Sequence, residues 1–313
     1  MFSVIIPTFN RAATCAVAVK SVLAQRANMA YEVIVVDNNS ADDTRERIQR
    51  LCAQAPDKLR YLCEVMPGAS AARNAGVAAA RGDIVAFMDD DAVADPEWLN
   101  ALAETYHTHP DAWCVGGKIV LALPEPLPRW FERASSVLMS HLGHLDLGDG
   151  VLALPYPHDV FGGNFSVRRD VLDRVGLFDA AFGPADRSRI EAEESELCWR
   201  IQAAGGAVYY CGYAIVTHLI PTDRVTKRYM RGRAVWSGRT WVLLDRPDIV
   251  MVRPRDLVWA ALRVVRNWIR LRISPGRADR RKVVDQELRF WQCVGYMQQR
   301  ALARLGFGWR RPR

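Results

Sequence analysis

Asp89, Asp90 and Asp91 follow directly on the apolar run Ile84-Val85-Ala86-Phe87-Met88, so a short buried strand ends in concentrated negative charge. Side chains alternate along a strand, which points Asp89 and Asp91 one way and Asp90 the other. Two oxyanions this close repel by roughly several kcal/mol at an effective dielectric of ~20, so the pair calls for a cation or for water. Mg²⁺ and Mn²⁺ prefer such oxygens and often complete their shells with substrate phosphates. The competing reading is a solvated acidic turn. A second acidic group, Glu191-Ala192-Glu193-Glu194-Ser195-Glu196-Leu197, crowds the start of a helix. The macrodipole favours acids there by roughly 0.3–1 kcal/mol each, which accounts for one or two of the four. Glu193 and Glu194 are therefore candidates for a general base. His218, one of six histidines, follows the last strand-like run; a lone histidine is more often structural, but a neutral imidazole here could complete a metal shell.

Two glycine segments border these acids. Pro67-Gly68-Ala69-Ser70-Ala71-Ala72-Arg73-Asn74-Ala75-Gly76 lacks the Gly-Lys-Ser/Thr of a Walker loop and the Gly-x-Gly-x-x-Gly fingerprint, but places Arg73 between candidate strands. Gly162-Gly163 would let backbone pass close to a ligand, or make a tight turn.

The elements that must position these residues alternate. Residues 4–7, 32–37, 59–63 and 84–88 read as strands; residues 12–25, 42–53, 70–80 and 97–107 read as helices. A βαβαβα order argues for a parallel sheet with right-handed crossovers, which binds ligands at the carboxyl ends of its strands. Three such ends, Pro7-Thr8-Phe9-Asn10-Arg11, Asp37-Asn38-Asn39-Ser40 and Asp89-Asp90-Asp91, should therefore cluster. Residues 113–121 read as a further strand, and 141–157 as Gly- and Pro-rich loop. A helix is expected from 169 and another over 191–204, closed by Gly205-Gly206, before a last strand at 207–211.

The chain of 313 residues carries a net charge of +7 that conceals a division. Residues 1–218 hold 19 Lys+Arg against 28 Asp+Glu, and 219–313 hold 23 against 7; six of the ten tryptophans lie in the second part. A cationic segment with aromatics suits an anionic membrane surface, nucleic acid or an acidic polymer. Within 257–273, Trp259, Leu262, Val265 and Ile269 can form an apolar stripe beside Arg263, Arg266, Arg270 and Arg272, which suggests an interfacial helix too charged to span a bilayer. No run of eighteen apolar residues occurs. Residues 1–7 read as a strand rather than a signal peptide. Seven cysteines without Cys-x-x-Cys spacing fit free thiols in a reducing cytoplasm.

Taken in order, Ser3-Val4-Ile5-Ile6-Pro7-Thr8-Phe9-Asn10-Arg11, Val36-Asp37-Asn38-Asn39-Ser40, Gly68 to Gly76, Phe87-Met88-Asp89-Asp90-Asp91, Gly162-Gly163-Asn164-Phe165 and Glu193-Glu194-Ser195-Glu196-Leu197 resemble glycosyltransferase family 2. The resemblance covers roughly residues 1–220 and implies an α/β GT-A fold, Rossmann-like and mostly parallel. It also implies a nucleotide-diphospho-sugar donor, a divalent Mg²⁺ or Mn²⁺, and transfer with inversion to a glycan, lipid-linked or other hydroxyl acceptor. By this likeness Pro7, Thr8, Asn10 and Arg11 would border the nucleoside, with Asp37 on the base and Arg73 beside it. Asp89 would hold ribose or metal-bound water, and Asp91 the metal, with His218 as a second ligand. Glu194 matches the base, usually Asp in the family, so the choice between Glu193 and Glu194 stays open. Trp98, Gly163 and Asn164 are placed on the acceptor side, and Asp90 is expected to matter least. Residues 221–313 are set apart as a basic, Trp-rich helical extension.

The implied setting is cytoplasmic, peripheral at the inner face of the plasma membrane, with no nucleic-acid partner. A non-enzymatic basic adaptor for membrane or RNA would explain the tail but not the ordered acids. A sugar-phosphate nucleotidyltransferase needs a Gly-rich first loop. A haloacid-dehalogenase-like phosphatase expects its Asp-x-Asp after the first strand, followed by Thr; here Ala92-Val93 follow.

Overall fold

The computed structural model describes residues 1–131, 135–180, 182, 192–244, 252–273 and 280–305, with the side chains of 268, 270–273 and 280–282 excepted. Arg270, Arg272 and Glu191 thus fall outside the described side chains or residues. The chain divides into two compact units. One contains Met1–Ala122 and the described residues of 145–219; the other contains Leu123–His144 and the described residues from Ile220 onward.

The first unit opens with β1 (Phe2–Thr8), α1 (Ala12–Leu23), β2 (Tyr31–Asp37), α2 (Thr44–Gln54), β3 (Leu59–Cys63), α3 (Ala69–Ala79) and β4 (Ile84–Met88). After them come β5 (Ala92–Ala94), α4 (Trp98–Thr108) and β6 (Ala112–Ala122). In the second unit α5 is Ser136–Ser140; the first unit then resumes with β7 (Val151–Ala153), β8 (Asn164–Arg168), α6 (Arg169–Val175), α7 (Glu193–Ala203) and β9 (Ala207–Leu219). Helices α8 (Lys227–Leu243), α9 (Pro254–Ile273) and α10 (Arg280–Arg304) belong to the second unit.

Among the described residues nine strands form one sheet, ordered β3-β2-β1-β4-β8-β6-β9-β5, with β7 beside β9. The first four pair in parallel, as the alternation predicts, and β6 also runs parallel to β9. β8 enters antiparallel between β4 and β6. The central strands are mainly apolar because both faces are covered. Val4, Ile6, Val33 and Val35 pack with α1, α2 and α4 on one face, while Ile5, Ile34, Val85 and Phe87 pack with α3, α6 and α7 on the other. Gly76 lets α3 approach β1, since a Cβ there would lie 2.6 Å from Ile5.

Two elements differ from the sequence reading. The last strand extends to Leu219 rather than stopping at 211, because its second half pairs with β6 and β5. Residues 92–94, read as chain after the acids, form β5 against the end of β9.

Candidate active site

The acids sit where sheet register sends them. In β1 and β4, Ile5 lies beside Phe87, which brings Thr8 level with Asp90; Thr8 Oγ1 donates to Asp90 Oδ2 at 2.7 Å. Ala92 of β5 pairs with His218 of β9, and His218 Nε2 lies 3.2 Å from Asp91 Oδ1. Met88 pairs with Asn164 of β8, which sets Gly162 and Gly163 against the acids; a Cβ on Gly163 would fall 3.0 Å from Asp89 Oδ2. The triplet, His218 and the glycine pair therefore meet at one end of the sheet.

Strand alternation does not carry through the three aspartates, because β4 ends at Met88 and the triplet turns, so that Arg11 Nη1 meets both Asp90 and Asp91. Asp91 is buried between Arg11 Nη1, 2.7 Å from its Oδ2, and His218. Asp90 accepts from Thr8 and, at 2.9 Å, from the same Arg11 nitrogen. Burial, against the pull of Arg11, lifts the Asp90 carboxyl to about 6. Burial opposes the charge of Arg11 too, but Asp90 and Asp91 outweigh it and raise its pKa. Asp90 is thus a buried anchor of the loop after β1, a larger part than the sequence expectation that it faces away and matters least. Asp89 keeps 40 % of its side-chain surface and lies 3.7 Å from Arg73 Nη2. Desolvation, then the charge of Asp91, raises its carboxyl above the usual range.

Arg73 joins the triplet to the acidic helix. Its guanidinium is buried, ion-pairs with Glu193 and lies over the Phe178 ring at 5.6 Å. Glu194, the next residue, takes a different partner: its Oε1 accepts from the Gly162 amide at 3.1 Å. Its Oε2 is buried with no hydrogen-bond partner among the described residues. Burial and then the charge of Glu193 push the Glu194 carboxyl up to about 8, with Arg73 opposing. Gly162 is required for this packing, because a Cβ would fall 2.9 Å from Arg73 Nη2 and 3.1 Å from Glu194 Oε1.

The loops after β1 and β2 are tied together. Asn10 and Asn39 adopt positive φ of 53° and 63°, a region where Asn is enriched. The Asn10 amide donates to Ser40 Oγ at 2.8 Å, and Asn10 Oδ1 accepts from the Ala41 amide at 2.7 Å. Asp37 is buried beside them with both oxygens used, by the Ser40 amide at 2.8 Å and the Tyr61 hydroxyl at 2.7 Å. Pro7 sits in register with Val36, half-buried at this same end.

Trp98 and Asn164 need correction. Both are fully buried, and Trp98 Nε1 donates to Asn164 Oδ1 at 2.8 Å. Asn164 Nδ2 donates to the carbonyls of Lys118 and Ala214. Neither side chain has a face left for an acceptor; they brace α4, β6, β8 and β9 beneath the site. Tyr61, which fixes Asp37, and the Gly162 amide, which fixes Glu194, escape the sequence reading. A tyrosine in an edge strand and a backbone N–H carry no motif, so only the pairing of β2 with β3 and of β4 with β8 reveals them.

Among the described residues no three His, Cys, Asp or Glu side chains gather as a protein-only metal site. The donor set nonetheless suits a hard divalent ion: a carboxylate and an imidazole in contact, with Asp89 nearby, is the partial shell that Mg²⁺ or Mn²⁺ completes with water and phosphate oxygens.

The family model for glycosyl transferase family 2 matches residues 3–176. The chain belongs to that family. It is 32% identical over 228 residues to a glucosyl-dolichyl phosphate glucuronosyltransferase of Haloferax volcanii, covering 72% of this chain and 71% of that one. It is 26% identical over 212 residues to the succinoglycan biosynthesis protein ExoM of Rhizobium meliloti, covering 66% and 63%. Among solved structures, the mannosyltransferase PcManGT of Pyrobaculum calidifontis, in complex with GDP-Man and Mn²⁺, superposes with a TM-score of 0.58 at 18% identity, covering 97% of this chain and 75% of that one. The fold is GT-A, and the protein is a family 2 glycosyltransferase whose relatives work in glycan and polysaccharide synthesis.

Proposed function

We propose that this glycosyltransferase moves a sugar from a nucleotide-diphospho-sugar to an acceptor hydroxyl in one inverting displacement, with Glu194 as base. The observation that carries this is the Glu194 carboxylate, fixed through one oxygen by the Gly162 amide and without a partner among the described residues at the other. Such a group is positioned to take a proton without being reoriented. The acceptor oxygen bonds to the anomeric carbon as the carbon–phosphate-oxygen bond breaks. The nucleoside diphosphate leaves with the electron pair, and Glu194 Oε2 receives the hydroxyl proton. Glu193 is committed to Arg73 and so serves to position rather than to accept.

On the donor side, Pro7, Thr8, Asn10, Arg11 and Asp37 border the nucleoside in this reading, with Arg73 and Asp89 between donor and base. Asp91 and His218 would hold a Mg²⁺ or Mn²⁺ ion, with Asp89 beside it. When bound, that ion supplies Lewis-acid stabilisation to the leaving diphosphate. Gly163 lies on the acceptor side. The catalytic domain is taken as 1–220 and the extension as 221–313, with Leu123–His144 packing in the unit of the extension.

A panel of nucleotide sugars tested for Mn²⁺-dependent hydrolysis checks the proposal. One donor should turn over and a chelator should stop it; no turnover with any donor would sink the reading. Proton NMR of the transferred sugar should show the anomeric configuration opposite to the donor's.

The acceptor in this reading is a glycan or lipid-linked hydroxyl, met at the anionic inner face of the plasma membrane. Among the described residues no helix is long and apolar enough to cross a membrane. Helix α9 supports a peripheral position: Val258, Trp259, Leu262, Val265 and Ile269 share one side and are 57, 59, 52, 54 and 43 % exposed. Arg255, Arg263 and Arg266 are exposed alongside. The opposite side is packed, with Asn267 buried and bonded to Gln286 of α10. An apolar stripe facing solvent beside cations fits an anionic lipid surface.

A further inference from the structure

Helices α8 and α10 of the second unit cross with almost no space between their backbones. A Cβ on Gly238 would fall 1.9 Å from the Gln292 carbonyl oxygen, and one on Gly295 would fall 2.0 Å from that of Val235. Beside this crossing lies an open groove of about 580 Å³, whose walls include Arg228, Arg231, Val235, Trp236, Arg239 and Trp291. The α8 members recur every three or four residues, so one helix face presents all three arginines.

Their charge is not balanced locally. Arg231 pairs with Glu287 at 2.5 Å, whereas Arg228 and Arg239 have no carboxylate partner among the described residues. Arg239 Nη2 donates to Gln298 at 2.9 Å and its guanidinium lies over the Trp236 ring at 4.8 Å. Its Nε is buried without a hydrogen-bond partner among the described residues. Lys227, Arg228 and Arg231 also fall in the first turns of α8, where there is no acid. The macrodipole disfavours cations at that end and favours an anion. Two indole rings and Val235 add apolar surface next to the charge.

We propose that this groove binds the phosphate group of an amphiphile, with the arginines on the phosphate and the indoles along the first apolar carbons. The proposal rests on the lipid-linked or membrane-surface acceptor reading and sharpens it from a general attraction to a defined site. Arginine suits a phosphate because its fork of N–H donors matches the oxygens. Stacking one guanidinium on an indole leaves its edge free for them.

The test uses the intact protein and short-chain lipids that stay monomeric, followed by tryptophan fluorescence and calorimetry. Dihexanoyl-phosphatidic acid should bind saturably at one site. Inorganic phosphate should bind at least tenfold more weakly and dihexanoylglycerol not measurably. Arg228→Ala and Arg239→Ala should each weaken phosphatidic acid by about tenfold or more. Arg300→Ala, an exposed cation of α10 outside the groove, should change nothing. Thermal midpoints recorded alongside separate lost binding from lost fold, and Arg228, being exposed, keeps the test usable should Arg239→Ala unfold. Equal loss in Arg300→Ala would reduce the effect to net charge and overturn the site. Inorganic phosphate binding as tightly as the lipid would make the occupant a free anion and overturn the amphiphile. Mn²⁺-dependent donor hydrolysis in the same samples keeps the two readings apart: turnover without lipid binding sinks only the groove.

Discussion

The strand-end site and the basic helical unit use charge in opposite ways. At the strand ends, Asp90 and Asp91 are held by Arg11, and Glu193 by Arg73. In the helical unit the cations of α9 and the α8 groove are exposed or unbalanced beside apolar side chains. Buried charge is costly unless paired, so the first arrangement is rigid and tolerates little change. Exposed charge costs little, so the second is free to serve a partner outside the chain. The contrast predicts that substitutions in the first region act on turnover and those in the second on binding.

The sharpest break would come from Glu194→Gln, expected to lower kcat by about 10²–10⁴-fold while leaving nucleoside-diphosphate binding by calorimetry intact. Unchanged turnover would dismiss Glu194 as base. The wild-type pH profile adds to this. With the Glu194 proton held up to about 8, the ionised base is the minor form at neutral pH. kcat/KM should therefore climb about tenfold per pH unit below that value and level off above it. A smaller loss is expected from Asp91→Asn, on the order of 10²-fold, accompanied by weaker Mn²⁺ binding in paramagnetic resonance titrations. The amide would also lose the charge that pairs with Arg11. A variant that keeps full Mn²⁺ affinity would remove Asp91 from the metal site.

Part of this site is legible in the sequence because Asp89 and Asp91 follow a strand end, and strand ends of a parallel sheet converge. Asp89, Asp91, Arg73, Glu194 and His218 all stand out from their order along the chain. Their partners do not. That Arg11 bridges Asp90 and Asp91 depends on the loop after β1, and that Glu193 rather than Glu194 takes Arg73 depends on how α7 begins. Helix periodicity cannot fix either rotation. In the second unit the α9 stripe is legible because amphipathic spacing survives without tertiary knowledge. The α8 groove is not, since it requires Trp291 of α10 to come alongside.

A weaker effect, confined to the second region, is expected of Leu262→Glu. Removing one leucine from an apolar contact forfeits roughly 1.5–3 kcal/mol, so partitioning onto phosphatidylglycerol vesicles should fall about tenfold or more, as read by co-sedimentation. Donor hydrolysis without vesicles should be unchanged. Wild-type protein that ignores such vesicles at low salt, or binds neutral phosphatidylcholine equally well, would refute the docking face. A fall in hydrolysis equal to the fall in binding would instead erase the contrast between the regions.

The least effect on turnover belongs to Trp98→Phe, which asks whether the floor of the first region is structural or catalytic. Phenylalanine fills most of the buried space but cannot donate to Asn164 Oδ1, whose bond from Trp98 Nε1 is 2.8 Å long. A buried acceptor left unsatisfied costs about 1–3 kcal/mol, so the urea midpoint should drop without a change in m. KM for either substrate should stay within about twofold, because neither Trp98 nor Asn164 has exposed surface to offer. The opposite outcome, a raised acceptor KM with stability intact, would return Trp98 to the acceptor side. It would also require α4 to open during turnover, since a fully buried indole reaches a ligand only if its helix moves.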